Sequence, residues 1–208
     1  MKRKAPKQIL IGLTGGPGVG KTEAARILSH YGVHLISADK IGHQILDSNA
    51  KVRRGIKAMF GASAFDSKGR PNRKLIGESV FASPELMAKF NGLVHPTLLR
   101  ILKRELNNAG KAGNKIIALD AALIYEWRIA DWFDILVVVD ASRDIRIQRL
   151  IKGGLTRSRA IERIGSQMPQ KDKKELADFV ITNNGNIGHL KAKIAGFARL
   201  LKKAALIT

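Results

Sequence analysis

Eight residues near the start of the chain have the types and spacing of a loop that binds phosphate. The run matches the pattern G-x-x-x-x-G-K-[ST] and consists of Gly15, Gly16, Pro17, Gly18, Val19, Gly20, Lys21 and Thr22. Glycines let the backbone curl close to an anion, and the N–H groups of the loop and of the helix after it point at the phosphate. We therefore predict that these residues and Glu23 bind a nucleoside triphosphate. Lys21 would reach the β- and γ-phosphates, and the Thr22 hydroxyl would ligate Mg²⁺.

The loop indicates a nucleotide but does not identify the reaction. A GTPase would need an N-K-x-D segment, and the run Asn114-Lys115-Ile116-Ile117 lacks the aspartate. The transporter signature LSGGQ is absent, and 208 residues are few for a motor or a helicase core. A small-molecule kinase fits this length better. Such an enzyme needs an acceptor-binding element, a carboxylate near the acceptor hydroxyl and a mobile basic lid over the phosphates.

The carboxylate is predicted at Asp39, which follows the second apolar run of the chain. It could accept the proton of the acceptor hydroxyl, or orient that hydroxyl directly or through a metal-bound water. The alternative is that Asp39 caps the next helix. Asp120 closes a later apolar run in a Walker-B-like position, and Asp140 closes another. Either Asp39 or Asp120 could hold Mg²⁺ through water, with Asp140 a further candidate, and the sequence does not choose among them.

The lid is predicted in the arginine-rich stretch from Arg143 to Arg163. Arg149 and Lys152 are three residues apart and share a face if this stretch is helical, and the glycine pair at 153–154 offers a hinge. A basic segment of this kind can neutralise charge that develops on a transferred phosphoryl group. The alternative is a solvated basic helix.

Five apolar runs alternate with helical patterns, which predicts an α/β fold of the P-loop NTPase type with a five-stranded parallel sheet flanked by helices. Ligands of such folds bind at the carboxyl ends of the strands. A C-terminal amphipathic helix over 187–201 should pack on the sheet. The five runs are 8–13, 33–37, 115–120, 134–140 and 178–182.

Almost eighty residues separate the second and third runs, which is too long for one crossover and predicts a helical insertion at about 45–110. Ser83 and Pro84 have the pattern of an N-cap and a first helical position, and Pro96 is expected to open a second helix. The expected organisation is one domain. Its core is 8–44, 111–145 and 176–208, its acceptor insertion is 45–110, and its lid is about 146–175.

Composition narrows the class of protein. Lys and Arg number 37 against 17 Asp and Glu, a formal net charge of +20. Such a surface attracts phosphate-rich ligands or nucleic acid, but the charge is spread out and aromatic residues make up only 5% of the chain, so nucleic acid is the less favoured partner.

Cysteine is absent, which excludes disulfides and thiolate chemistry. No signal peptide or membrane span is predicted, so we expect a cytoplasmic location. No surface stripe indicates an oligomeric state.

Together, the phosphate loop and six further segments resemble the dephospho-coenzyme A kinase family. The order and spacing hold from about residue 9 to residue 200, and the combination is more specific than any single segment. The family patterns ADxI, HP, DxPLLxE, TR, RIxxQ and ADxVIxNxG correspond here to 38–41, 95–96, 120–126, 156–157, 163–167 and 177–185.

This resemblance implies transfer of the γ-phosphoryl group of ATP to the ribose 3′-hydroxyl of dephospho-coenzyme A, the last step of coenzyme A synthesis. Asp39 would be the catalytic carboxylate, and Lys21 and Thr22 would serve ATP and Mg²⁺. The remaining roles follow by position: the lid group would be Arg149, Lys152 and Arg157, the adenine would be flanked by Asn183 to Gly185, and the acceptor side would include His95 and Glu126. For His95 a structural role is the alternative.

The chain departs from the family pattern at four positions. Lys152 stands where the family has arginine, so two-pronged binding of phosphate is replaced by a point charge. His43, Ala122 and Thr182 replace an arginine, a proline and an aspartate. These changes lie on the lid and acceptor side, so they bear on specificity or rate more than on ATP binding. They leave another small-molecule or nucleotide kinase as the alternative, and a nucleotide-dependent nucleic-acid-binding protein as a further one.

Overall fold

The structure is a computed structural model and describes residues 8–207. The N-terminal stretch 1–7, which carries four basic side chains and no acidic one, lies outside the described residues. The strands are β1 (Ile9–Thr14), β2 (His34–Ser37), β3 (Ile116–Asp120), β4 (Ile135–Asp140) and β5 (Phe179–Thr182). They form one parallel sheet in the order β2-β3-β1-β4-β5, so the predicted fold class is confirmed. Each strand begins and ends within one residue of its predicted run.

Helices connect these strands along the chain. Those before β3 are α1 (Lys21–Ser29), α2 (Ala38–Ser48), α3 (Ala50–Phe60), α4 (Arg73–Ala82) and α5 (Pro84–Lys111). Between β4 and β5 lie α6 (Arg143–Lys152), α7 (Arg157–Gly165) and the short α8 (Gln170–Glu175), and α9 (Ile187–Ile207) follows β5. Along residues 8–207, no helix carries an apolar stretch long enough to cross a bilayer.

The chain divides into two compact units. The first is made of residues up to Ser37 and from Leu106 onward, and it contains the whole sheet. The second is the continuous segment Ala38–Glu105, with α2, α3, α4 and most of α5.

One hydrophobic cluster of the first unit lies on the face of the sheet that α1 and α9 cover. Ile11, Leu13 and Val139 point to this face and are buried, because α1 and α9 lie over them. The predicted C-terminal helix is confirmed as a core helix. It contributes Leu190, Ile194, Phe197, Ala198 and Leu201 to the same cluster.

The region around Pro96 differs from the prediction. Ser83 does cap a helix, since its Oγ accepts a hydrogen bond from the N–H of Leu86 at 3.2 Å. Pro96, however, lies inside α5 and opens no second helix, so that expectation was wrong. The lost hydrogen bond is tolerated because Gly92, whose carbonyl would have received it, is exposed to water. Burial at a spacing of four holds the helix continuous through Val94, Leu98, Leu102 and Leu106.

Candidate active site

The phosphate-type loop begins at the topological switch point of the sheet, where the strand order reverses. β1 lies between β3 and β4, which are consecutive in the chain. Leu13 pairs with Asp120 on one side, and Thr14 pairs with Val138 on the other. This is the crevice in which ligands of open parallel sheets bind.

Two glycines of the loop have surroundings that no other residue would fit. At Gly15 the φ angle is +146°, and an added Cβ would lie 2.5 Å from the carbonyl oxygen of Val139. Gly20, the N-cap of α1, has a φ of +87°, and an added Cβ would lie 2.4 Å from Nδ2 of Asn183. The sharp turn and the close approach of its neighbours therefore fix the path of the loop.

Lys21 and Asp120 form a buried ion pair at the start of α1. Nζ of Lys21 donates to Oδ1 of Asp120, and both side chains are less than a tenth exposed. Thr22, the next residue, is exposed. Glu23 is engaged by Arg26, which donates from Nε and Nη2 to the two carboxylate oxygens at 3.0 and 2.6 Å. This hydrogen-bonded pair lowers the pKa of Glu23.

Two arginines of α6 hold the phosphate-type loop by donating hydrogen bonds to its backbone carbonyls. Nε of the buried Arg146 donates to the carbonyl of Pro17 at 2.9 Å. Arg149 donates from Nη1 to the carbonyls of Gly18 and Val19 at 3.3 and 3.2 Å. Both contacts use backbone carbonyls, so neither arginine occupies an N–H group of the loop. Burial lowers the pKa of Arg146, and the charge of Asp140 opposes that shift.

The segment after β5 is tied to the same loop. The buried side chain of Asn183 donates from Nδ2 to the carbonyl of Val19 at 2.8 Å, and the backbone carbonyl of Asn183 accepts from Nη2 of Arg149 at 3.0 Å. At Gly185 an added Cβ would lie 2.5 Å from Nδ1 of His189. The structure thus brings the predicted residues Arg149 and Asn183 together with the phosphate-type loop.

Helix α8 contacts both this loop and the loop after β3. Gln170 accepts from the N–H of Gly16 at 3.0 Å through Oε1. The fully buried Lys173 donates from Nζ to the carbonyl of Ala122 at 2.7 Å and lies 2.8 Å from Oε1 of Glu126. Burial lowers the pKa of Lys173, and the hydrogen bond to Glu126 opposes that shift.

At two of the positions that depart from the family pattern, Ala122 and Thr182, the contacts are made by the backbone carbonyl and not by the side chain. The carbonyl of Ala122 accepts from Lys173 and also from Oγ1 of Thr14 at 3.0 Å, and a proline at that position has the same carbonyl. The carbonyl of Thr182 accepts from Nζ of Lys193 at 2.7 Å.

The predicted lid residues lie at the ends of two helices. Lys152 is the last residue of α6, Arg157 is the first residue of α7, and both are exposed. The turn between them contains Gly154 with a φ of +95°. Thr156 caps α7 by accepting from the N–H of Arg159 at 3.3 Å.

Two further predicted residues belong to the second unit. Asp39 is exposed and is the second residue of α2, whose first residue directly follows β2. It is therefore in the first turn of the helix, where a carboxylate is favoured by the helix dipole. His95 lies within α5 and is partly buried, and this burial lowers its pKa below the ordinary 6.5.

Three residues in contact with the site are absent from the predicted set: Arg146, Gln170 and Lys173. Arg146 had a usable signal, because it precedes Arg149 by three residues and therefore shares its helix face. Lys173 had none. It stands in a run of polar residues on α8, where nothing in the residue types distinguishes the buried lysine from exposed Lys171 and Lys174.

The residues present are compatible with Mg²⁺. Among residues 8–207, no group of three or more His, Asp or Glu side chains could hold a metal ion by itself. Magnesium in phosphoryl transfer needs no such cage, since it takes one or two protein oxygens and completes its shell with phosphate oxygens and water. The exposed hydroxyl of Thr22 and the carboxylate of Asp120 beside Lys21 are such oxygens.

Comparison with known proteins gives consistent matches. The family model described as dephospho-CoA kinase (CoaE) matches residues 9–189. A dephospho-CoA kinase of Chlorobaculum tepidum is 32% identical over 198 residues, covering 93% of this chain and 94% of the relative.

Two solved structures share the fold. The TT1252 protein of Thermus thermophilus superposes with a TM-score of 0.75 at 26% identity, covering 93% of this chain and 98% of the other. A dephospho-CoA kinase of Campylobacter jejuni gives a TM-score of 0.70 at 23% identity, with 93% and 97% covered.

Proposed function

The chain belongs to the dephospho-CoA kinase family, and from this premise we propose how its own residues carry out the reaction. A member of this family is an ATP-dependent kinase that phosphorylates dephospho-CoA in coenzyme A biosynthesis. The acceptor atom in our proposal is the ribose 3′-hydroxyl, the products are coenzyme A and ADP, and the reaction takes place in the cytoplasm.

The observation that carries the proposal is the braced loop at the end of β1. Its path is fixed by Arg146, Arg149 and Asn183 through backbone carbonyls. A loop held in this way needs no change of path when the β- and γ-phosphates arrive, and N–H groups other than that of Gly16, which donates to Gln170, can bind them. Lys21 would exchange its contact with Asp120 for the phosphates and balance the charge that develops on the transferred group.

The acceptor step is assigned to Asp39. The 3′-oxygen attacks the γ-phosphorus, the bond to the β,γ-bridging oxygen breaks, and ADP leaves. Asp39 either accepts the proton of the hydroxyl as a general base, or orients the hydroxyl for in-line attack while the proton passes to an oxygen of the transferred phosphoryl group. Support comes from the chain itself, because Asp39 follows by two residues Ser37, which pairs with Asp120 in the sheet.

Mg²⁺ would be held by Thr22, with Asp120 or Asp39 contributing through water. When bound, the ion supplies charge neutralisation on the phosphate oxygens. Arg149, Lys152 and Arg157 form the basic group of the lid. Asn183 and Gly185 flank the adenine, and His95 and Glu126 belong to the acceptor side.

The experiment is a coupled assay of ADP release with Mg²⁺ and ATP, run with and without dephospho-CoA. Mass analysis of the product should show one added phosphoryl group, and digestion with a 3′-nucleotidase should remove it. ADP release that does not depend on dephospho-CoA, or a product phosphorylated elsewhere, would contradict the proposal. A panel of other hydroxyl acceptors under the same conditions tests whether any of them is used faster.

A further inference from the structure

Helix α8 is six residues long, and its side chains reach three parts of the first unit. Gln170 contacts the phosphate-type loop, Lys173 contacts the loop after β3, and Lys174 forms an ion pair with Asp140 at 3.1 Å. So short a helix gains little stability from its own hydrogen bonds. These long-range contacts must therefore hold it in place, and they equally hold the segments that it touches.

Gln170 uses both ends of its amide. Oε1 accepts from the N–H of Gly16 at 3.0 Å, and Nε2 donates to the carbonyl of Val139 at 2.8 Å. An added Cβ on Gly16 would lie 3.1 Å from the same Oε1. The amide thus links the second residue of the loop to the end of β4, and its two different atoms fix its orientation.

Lys173 makes the corresponding link on the other side. Its ammonium group is fully buried, 2.7 Å from the carbonyl of Ala122 and 2.8 Å from Oε1 of Glu126. The same Glu126 oxygen accepts from the N–H of Met168 at 3.0 Å, just before α8. The hydroxyl of Tyr125 lies 3.4 Å from the carbonyl of Lys173. Three residues of the loop after β3 are therefore attached to α8 and its preceding turn.

The burial of this ammonium group is hard to explain by stability alone. Removing a lysine charge from water is costly, and a hydrophobic side chain of the same size is often as stable in such a place. The charges of Arg146 and Lys21 act on Lys173 in the same unfavourable direction as burial does. A charge kept under these conditions indicates that the position of the Ala122–Glu126 segment matters.

We propose that Gln170 and Lys173 are positioning residues with separate tasks, Gln170 fixing the loop that binds ATP and Lys173 fixing the loop that faces dephospho-CoA. The division rests on the proposed function, which assigns residues 15–22 to ATP and Glu126 to the acceptor. Neither side chain touches the reacting atoms, so each acts through the backbone that it holds.

The test compares Lys173→Met with Gln170→Ala in the full-length protein. Lys173→Met should lower kcat/KM for dephospho-CoA on the order of 10²-fold, since a misplacement of about 1 Å is enough for such a loss. Its Kd for a fluorescent ATP analogue should stay within about twofold of the wild type. Gln170→Ala should do the reverse, raising that Kd by about tenfold, a loss typical of one hydrogen bond to a positioned group, with KM for dephospho-CoA unchanged at saturating ATP.

Matched controls separate position from charge and composition. Lys171→Met removes the same charge from the same helix, but Lys171 is exposed and only reaches Glu175 at 3.8 Å. Gln148→Ala removes an exposed glutamine from α6. Both controls should match the wild type. If Lys173→Met does not fold, Tyr125→Phe removes another contact between the same loop and α8, and it should show the same split between acceptor and ATP to a smaller extent.

Hydrogen exchange provides a reading that does not depend on activity. Peptides covering 121–129 should exchange faster in Lys173→Met, and peptides covering 15–20 should exchange faster in Gln170→Ala. If the wild type fails to phosphorylate dephospho-CoA, the proposed function is wrong, yet these exchange patterns still test the role of α8. Equal loss of both kinetic parameters in each variant, or faster exchange across both loops in each, would overturn the division of tasks.

Discussion

A carboxylate that takes part in phosphoryl transfer and one that only stabilises a helix end differ in what their removal does. Asp39→Asn keeps the size of the side chain but removes its charge and its ability to take a proton. We expect kcat to fall by about 10²-fold or more, while the Kd for ATP changes little. Steady-state kinetics with both substrates, together with ATP titration, measures this.

The control for Asp39 is Asp144, which is also an exposed aspartate in the first turn of a helix, α6. Asp144→Asn removes the same interaction with a helix dipole and should leave kcat near the wild-type value. An Asp39→Asn enzyme with unchanged kcat would assign Asp39 to the stability of α2 and not to the reaction.

His95 should make stability depend on pH. Its folded-state pKa lies below 6.5 because the ring is partly buried, so between that pKa and 6.5 the unfolded chain binds more protons than the folded one. Stability therefore rises with pH across this window and is lost as the pH falls below 6.5. The free energy of unfolding by urea, measured from about pH 7.5 to about pH 5, should fall less in His95→Gln than in the wild type. Parallel curves for the two proteins would contradict this.

At the level of residues, the sequence predicts those features of the site that depend on backbone conformation. The phosphate-type loop is recognisable because its glycines are required by geometry, as at Gly15 and Gly20. Lys173 could not be predicted, because its burial depends on segments that are distant in the chain, near Ala122 and Glu126. The contacts of Arg149 with the carbonyls of Gly18 and Val19 could not be predicted either, and its role in the lid stays a prediction.

At the level of elements, α9 offers a direct test of its role in the core. Ile194 is 1% exposed against the sheet, and Leu200 on the same helix is 59% exposed. Ile194→Ala should lower the free energy of unfolding by about 2–5 kcal/mol, the range for a large side chain removed from a core. Leu200→Ala should change it by less than about 0.5 kcal/mol. Urea denaturation measures both, and a comparable effect at Leu200 would indicate that this face is covered by a partner.

The strands were predictable because buried parallel strands are short, continuous apolar runs. The continuity of α5 was not, because proline is a strong local signal for a helix start and the burial of Val94, Leu98 and Leu102 outweighs it. The stretch from Arg143 is helical in α6 and α7, which is the condition under which Arg149 and Lys152 were expected to share a face. Whether the turn at Gly154 closes over bound phosphates stays a prediction.

At the level of the whole molecule, the net charge of +20 predicts weak, salt-sensitive binding to any polyanion. A short DNA duplex should bind at low salt and lose about 10³-fold or more in affinity between about 50 and about 200 mM salt. Fluorescence anisotropy across a salt series measures the slope. Binding that persists at physiological salt would instead indicate a dedicated nucleic-acid site.

The sequence predicted a separate helical segment but not its boundaries. Sequence reasoning placed an insertion at 45–110, and the structure divides the chain at Ala38 and Glu105. The difference arises because compactness depends on contacts within α2 and α3, while the sequence signal was only the length between two apolar runs.

The second unit is a single uninterrupted segment, and this has an evolutionary consequence. Only two peptide junctions join it to the rest of the chain, one directly after β2 and one inside α5. A gene for this protein can therefore exchange the whole segment by recombination at two places while every strand of the sheet is inherited unchanged. The junction within α5 restricts the length of such chimeras, because an insertion or deletion there rotates one part of the helix by about 100° per residue relative to the other. We expect grafts from distant relatives to succeed only when the helical phase of α5 is preserved.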